Sequence, residues 1–166
     1  IPAEPLFRSS YYPFLLLVNP IISAIAAGNV IMAKPSHKTP HVSEVLVKMF
    51  KENFPENEIA LIEGEGAEIG DKLLELPFDH VFFTGSPKVG AHITEMAAKH
   101  HASITLELGG KSPTILLPGV NVKKHIKQIA WGKTLNGGQT CIAPDYALCP
   151  EDKIQEFAEA FAEDIK

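Results

Sequence analysis

Ser103-Ile104-Thr105-Leu106-Glu107-Leu108-Gly109-Gly110-Lys111-Ser112-Pro113 is an apolar, β-prone run that opens into two glycines. Such a run predicts a buried strand that ends in a loop able to approach a ligand closely, with Glu107 at the exit. Downstream, Asn136-Gly137-Gly138-Gln139-Thr140-Cys141 follows a helix-like stretch. Glycine there can adopt the left-handed cap, so Cys141 is predicted on a sharply turned loop. Glu107 is thus a candidate base and Cys141 a candidate nucleophile, both on loops, where chemistry concentrates. The plain alternatives are a small buried hydrophobe for the cysteine and a solvated charge for the glutamate.

Working upstream, Asp79 to Thr84 reads as a strand running into Gly85-Ser86, and the helix from Pro87 carries Val89, Ile93, Met96 and Ala97 inward. Lys99, His100 and His101 fall in its last turn, where cations suit the dipole. Ile59 to Ile62 is a strand and Ala67 to Leu76 a helix. Thr39-Pro40 starts a helix whose Val42, Val45, Leu46, Met49 and Phe50 recur at core spacing. Val30 to Lys34 is a short buried strand, and Asn19-Pro20 a helix start with asparagine as cap. Residues 1–11, with two prolines and no apolar alternation, read as irregular.

Downstream, Thr114 to Leu117 and Tyr146 to Cys149 read as strands. Asn121 caps a helix with Val122, Ile126, Ile129 and Ala130 inward, and from Pro150 a helix aligns Ile154, Phe157, Ala158, Phe161 and Ile165. Strands alternating with helices imply an α/β fold: a mainly parallel, doubly wound sheet with its ligand crevice at the carboxyl ends of the strands.

A chain of 166 residues is long enough for one domain with a real core, burying about 70% of its extended surface. Its net charge of −5, without basic blocks, argues against nucleic acid or an anionic membrane as partner. The longest apolar stretch, Phe14 to Ala27, is broken by Asn19-Pro20 and falls short of the ~20 residues of a membrane span. Cys141 and Cys149 fit neither a metal spacing nor a disulfide framework, and no secretory leader is present, so a reducing, cytoplasmic setting is expected. The seven histidines are scattered, and no metal site is predicted.

The Gly-x-Gly-x-x-Gly dinucleotide fingerprint is absent. Gly85-Ser86-Pro87-Lys88-Val89-Gly90 stands in its place, with a glycine at the strand exit, a serine cap and proline in the first turn. The helix N-terminus so formed suits either a pyrophosphate or nothing more than a capped helix.

Phe82-Phe83-Thr84-Gly85-Ser86, the Glu-Leu-Gly-Gly-Lys-Ser-Pro stretch from Glu107 and the Gly-Gln-Thr-Cys loop ending at Cys141 occur in that order. Together they resemble the aldehyde dehydrogenase superfamily. Residues 138–146 are most similar to its class 3, fatty-aldehyde type branch, and the resemblance runs from about Tyr12 to the C-terminus. It implies a Rossmann-like dinucleotide-binding domain over 12–118 and the start of a catalytic domain over 119–166. Family members are far longer, which implies a piece of a homo-oligomeric enzyme.

By resemblance, Cys141 attacks an aldehyde, Glu107 activates the water that hydrolyses the thioester, and NAD or NADP accepts the hydride. Lys34 and Ser36 match contacts to the adenosine ribose and phosphates, Gly85, Ser86 and Gly90 match the cofactor loop, and Leu108 is a further cofactor contact. His37 occupies the place of a glutamate that binds both ribose hydroxyls, so NADP is expected to be accepted. Asn136 and Gln139 are assigned to loop structure, and Cys149 to packing. Only Phe7 to Tyr11 lie between Glu-Pro-Leu (residues 4–6) and Tyr-Pro-Phe (residues 12–14), which implies a missing strand. Tyr11 in place of an asparagine implies a missing oxyanion donor, so the chain alone is expected to be inactive. A dinucleotide-binding module without turnover and a non-catalytic interaction remnant are the alternatives.

Overall fold

The structure, a computed structural model, describes residues 3–7, 11–64 and 66–166, with 3–7 described by their backbone. The chain divides into two units, residues 1–108 and 109–166. The first holds a five-stranded sheet of β1 (Ala3–Phe7), β2 (Val30–Lys34), β3 (Ile59–Leu61), β4 (His80–Gly85) and β5 (Ser103–Leu108). Its spatial order is β3-β2-β1-β4-β5, and every pairing is parallel. Helices α1 (Leu15–Ala26), α2 (Pro40–Asn53), α3 (Gly66–Leu74) and α4 (Pro87–Ala98) connect the strands.

Because side chains alternate along a strand, β2 and β4 feed two cores. Ile31 and Ala33 of β2 pack with Leu17, Ile21 and Ala24 of α1 and with Leu46, Val47 and Phe50 of α2. Val81 and Phe83 of β4 pack with Leu73 and Leu74 of α3 and with Ile93 and Ala97 of α4. Met32 and Phe82, the intervening residues, join the opposite cores. Helices therefore cover both faces, as the alternation of elements implies. Leu17 is fully buried, so Leu17→Ala is expected to cost about 2–5 kcal/mol of stability, read from the urea midpoint at unchanged slope.

The first strand corrects the sequence expectation. Residues 3–7 are not irregular: Ala3 to Phe7 pair with Val30 to Lys34, while Leu6 and Phe7 pair with Phe82 and Phe83. Residues 8–10, in the interval where the resemblance implies a missing strand, lie outside the described residues. The backbone groups of β2 and β4 that face each other need a ladder partner between them. That requirement prevails over Pro5, a residue otherwise confined to strand edges.

Helix α1 also begins before Asn19-Pro20, with Phe14 as its cap and Pro20 inside. The proline forfeits one helical hydrogen bond, but burial of Leu17, Ile21 and Ala24 on one stripe holds the helix through it. In α2 the inward stripe is Ser43, Leu46, Val47 and Phe50, and Val45 is exposed. In α4 the inward position expected for Val89 belongs to Gly90, and Val89 is exposed. Helix α4 ends at Ala98, leaving His101 beyond it with φ 58°.

The second unit contains the parallel pair β6 (Ser112–Ile115) and β7 (Pro144–Leu148) with helices α5 (Val122–Thr134) and α6 (Ile154–Asp164). Both strands start two residues before their sequence-read positions. The sequence places the boundary after residue 118, whereas the chain divides after Leu108 because β6 pairs with β7 and not with the first sheet. Asn121 caps α5 by accepting the Lys124 N–H at 3.1 Å. Leu116, Val122 and Ile126 form the core with Ala147, Cys149, Phe157, Ala160 and Phe161. Cys149 thus has the packing role expected of it.

Candidate active site

In the first unit the sequence order of the strands reverses between β1 and β4, the switch point at which doubly wound sheets open a crevice beyond the carboxyl ends of the strands. Lys34 closes β2, Gly85 closes β4 and Leu108 closes β5. Phe7 pairs with Lys34 on one side and Phe83 on the other, and Phe83 pairs with Leu106. These four residues form one row across the sheet about 14 Å long, three strand spacings.

Each expected cofactor residue has a definite place at this end. Lys34 and Ser36 are buried. The Ser36 hydroxyl accepts the Lys38 N–H at 3.3 Å, and its carbonyl accepts from the Ser43 hydroxyl at 2.9 Å, which fixes the turn into α2. His37 is exposed beside it. Ser86 caps α4, its Oγ accepting the Val89 N–H at 3.4 Å, and Pro87 occupies the first turn. Gly90 is a packing residue: an added Cβ would come within 2.9 Å of Leu108 Cδ2, so glycine lets α4 lie close on β5. A buried cationic residue and a capped helix N-terminus at one end of a parallel sheet suit an anionic dinucleotide.

Glu107 pairs with Thr84, one register step before Gly85 and Leu108, and shares the sheet face of Phe82. It is exposed, because β5 is the edge strand of this unit and not a buried one.

Cys141 belongs to the second unit. After α5 the backbone takes three successive positive φ angles, at Asn136 (54°), Gly137 (66°) and Gly138 (76°), as the sequence implies. Asn136 is the informative member, since a side chain there resists this region. The Asn136 carbonyl accepts from Gln139 Nε2 at 3.2 Å, and the Gln139 carbonyl accepts from Asn136 Nδ2 at 3.3 Å. Both residues thus have the loop role assigned to them. Cys141 follows, partly exposed and free.

Sequence reasoning missed what lies on the other flank of Cys141. A Cβ added to Gly110 would meet the Cys141 carbonyl oxygen at 2.8 Å. Lys111 Nζ lies 3.2 Å from Asp145 Oδ2. The glycine pair and the Lys-Ser-Pro run signal a loop, but not the segment on which it packs.

The expected cofactor residues and Glu107 are thus gathered in the first unit, and Cys141 lies in the second with Gly110, Lys111 and Asp145. Tyr11 stacks edge-on against Tyr12, with ring centres 6.0 Å apart. Among the described residues there is no cluster of three potential metal ligands and no helix long and apolar enough to cross a membrane.

Comparison with known proteins matches residues 11–166 to the aldehyde dehydrogenase family. The chain is 44% identical over 138 residues to aldehyde dehydrogenase family 3 member A2 of Macaca fascicularis, covering 83% of this chain and 28% of that protein. Among solved structures, the substrate-bound state of Staphylococcus aureus AldH superposes with a TM-score of 0.92 at 42% identity, over 98% of this chain and 36% of that one. A Mycobacterium tuberculosis aldehyde dehydrogenase complexed with NAD+ superposes with a TM-score of 0.90 at 32% identity, over 98% and 34%. The chain spans about a third of the length of the curated relatives it matches.

Proposed function

Because this chain belongs to the aldehyde dehydrogenase family, we propose that it carries the nucleotide-binding part and the nucleophile loop of an NAD(P)-dependent oxidation of aldehydes to carboxylic acids. The observation that carries this reading is the alignment of Lys34, Gly85-Ser86 and Leu108 at strand exits beside the switch point. The solved relative bound to NAD+ supports the same cofactor class. When bound, the nicotinamide supplies the hydride acceptor.

The chain's own residues do the rest. Lys34 and the α4 N-terminus would hold the negative phosphates. The Cys141 thiol first loses its proton to solvent. The thiolate then bonds to the aldehyde carbon as the carbonyl electron pair moves onto oxygen, and collapse of that oxyanion with departure of the carbon's hydride to the acceptor leaves a thioester. Glu107 takes a proton from water as hydroxide adds to the thioester carbon. The C–S bond then breaks, releasing the acid and restoring the thiolate. Glu107 is the penultimate residue of β5, and Gly110, three positions later in sequence, abuts Cys141, so the two motifs are joined by a short stretch of chain.

Tyr11 stands where the family motif has asparagine, so one oxyanion donor is absent and the rate of this chain alone is expected about 10²-fold or more below that of a complete site. That substitution favours, as the second reading, a binding module without turnover. The expected setting is the cytoplasm, with a small aldehyde as substrate and homo-oligomers for the full-length form.

Calorimetric titration of the 166-residue chain with NAD and NADP tests the reading. Both are expected to bind, NADP included because His37 brings no carboxylate against a 2′-phosphate, and Lys34→Met should weaken both about tenfold or more. Binding of NAD alone would exclude dual use, and binding of neither would remove the nucleotide reading.

A further inference from the structure

Gly110, Lys111 and Asp145 surround the segment that follows Cys141, and none of them belongs to the proposed chemistry. The closest approach is backbone on backbone: the Cβ that Gly110 lacks would sit 2.8 Å from the Cys141 carbonyl oxygen, and no rotamer change could relieve that overlap. Next in sequence, Lys111 Nζ reaches both oxygens of the Asp145 carboxylate, at 3.3 Å from Oδ1 and 3.2 Å from Oδ2. The strand register explains why Asp145 is available. Ser112 pairs with Pro144 but Pro113 pairs with Tyr146, so Asp145 is the extra residue of a bulge opposite a proline that has no N–H to offer the ladder. Bulges of this kind redirect side chains.

On its other flank, Cys141 is preceded by the left-handed turn that the Asn136 and Gln139 bonds secure. The two flanks hold the cysteine between them. We propose that Gly110 with the Lys111–Asp145 ion pair is a clamp that sets the position of the Cys141 loop, all three acting as positioning residues. The inference rests on Cys141 being the nucleophile for its functional meaning, though not for its geometry. Lys111 is 81% and Asp145 32% exposed, so the pair contributes modestly. The glycine contact is the dominant constraint, and the ion pair keeps the Gly110 loop seated.

Two measurements on the 166-residue chain test the clamp. The first is iodoacetamide labelling of Cys141 across neutral pH, read by peptide mass spectrometry, with Cys149, partly buried against the core of the same unit, as internal control. The second is amide exchange over residues 139–142. Gly110→Ala is expected to change the Cys141 labelling rate about tenfold, as a displaced reactive group does, and to speed exchange, leaving Cys149 unchanged. Lys111→Met should change both readouts about two- to fivefold, the range of an exposed ion pair. Lys111→Arg, and Lys111→Asp combined with Asp145→Lys, should restore parent values.

Unchanged labelling and unchanged exchange in both Gly110→Ala and Lys111→Met would overturn the clamp. If Gly110→Ala also speeds labelling of Cys149, that variant has loosened the core on which Cys149 packs, and Lys111→Met with its two restoring partners decides the matter alone. A parent Cys141 that labels no faster than free cysteine counts against the nucleophile reading only, because the exchange comparison still judges the clamp.

Discussion

Cys141→Ala is expected to abolish formation of an acyl adduct when the chain meets an aldehyde and NAD or NADP, with any aldehyde-dependent growth of reduced nicotinamide falling about 10⁵-fold or to background. Intact mass and absorbance read the two effects. Binding of the dinucleotide should persist, since the strand exits at Lys34, Gly85 and Leu108 belong to the other unit. The large magnitude follows from the chemistry: without the sulfur no covalent intermediate forms, and a single difficult step replaces two easier ones. Retention of the adduct on another residue, Cys149 included, would transfer the nucleophile assignment away from Cys141.

Glu107→Gln should separate the two halves of the reaction. The amide keeps the shape of the side chain but takes no proton from water. Acylation of Cys141 and one equivalent of reduced nicotinamide are therefore expected at nearly the parent rate. Hydrolysis of the thioester should slow about 10²–10⁴-fold, the usual contribution of a positioned base. Rapid quench with intact mass would show the acyl adduct accumulating. A variant in which adduct formation and its breakdown slow equally would assign Glu107 to activation of the thiol instead, and one in which neither slows would remove it from the chemistry.

Most of the architecture of both units is legible in the sequence because local and long-range preferences agree. The caps at Ser86 and Asn121, the stripe in α5 and the left-handed turn at Asn136–Gly138 all follow from side-chain chemistry within a few residues. The errors occur where distant partners prevail over local preference. Ala3 to Phe7 contain a proline and no alternation, yet they form the middle strand because β2 and β4 present backbone groups on either side. Pro20 sits inside α1 for a similar reason, since the stripe of Leu17, Ile21 and Ala24 is buried.

Around the candidate residues, the left-handed turn before Cys141 is readable from Asn136-Gly137-Gly138, and the end of β5 just after Glu107 from Gly109-Gly110. The contact of Gly110 with Cys141 was not readable, for it depends on how residues more than thirty positions apart meet. Nor was the Lys111–Asp145 pair, which depends on a one-residue shift in strand register.

The central place of β1 also bears on how the chain assembles during synthesis. Of the five strands of this sheet, the one that comes first in sequence must end in the middle, and Leu6 meets Phe82 only after 76 further positions have been added. Until β4 emerges from the ribosome, the edge of β1 that β4 covers in this sheet lacks that pairing. Closing so long a loop carries an entropic penalty that grows slowly with length, so the two halves of the sheet should join late, through non-local pairing that is intrinsically slow.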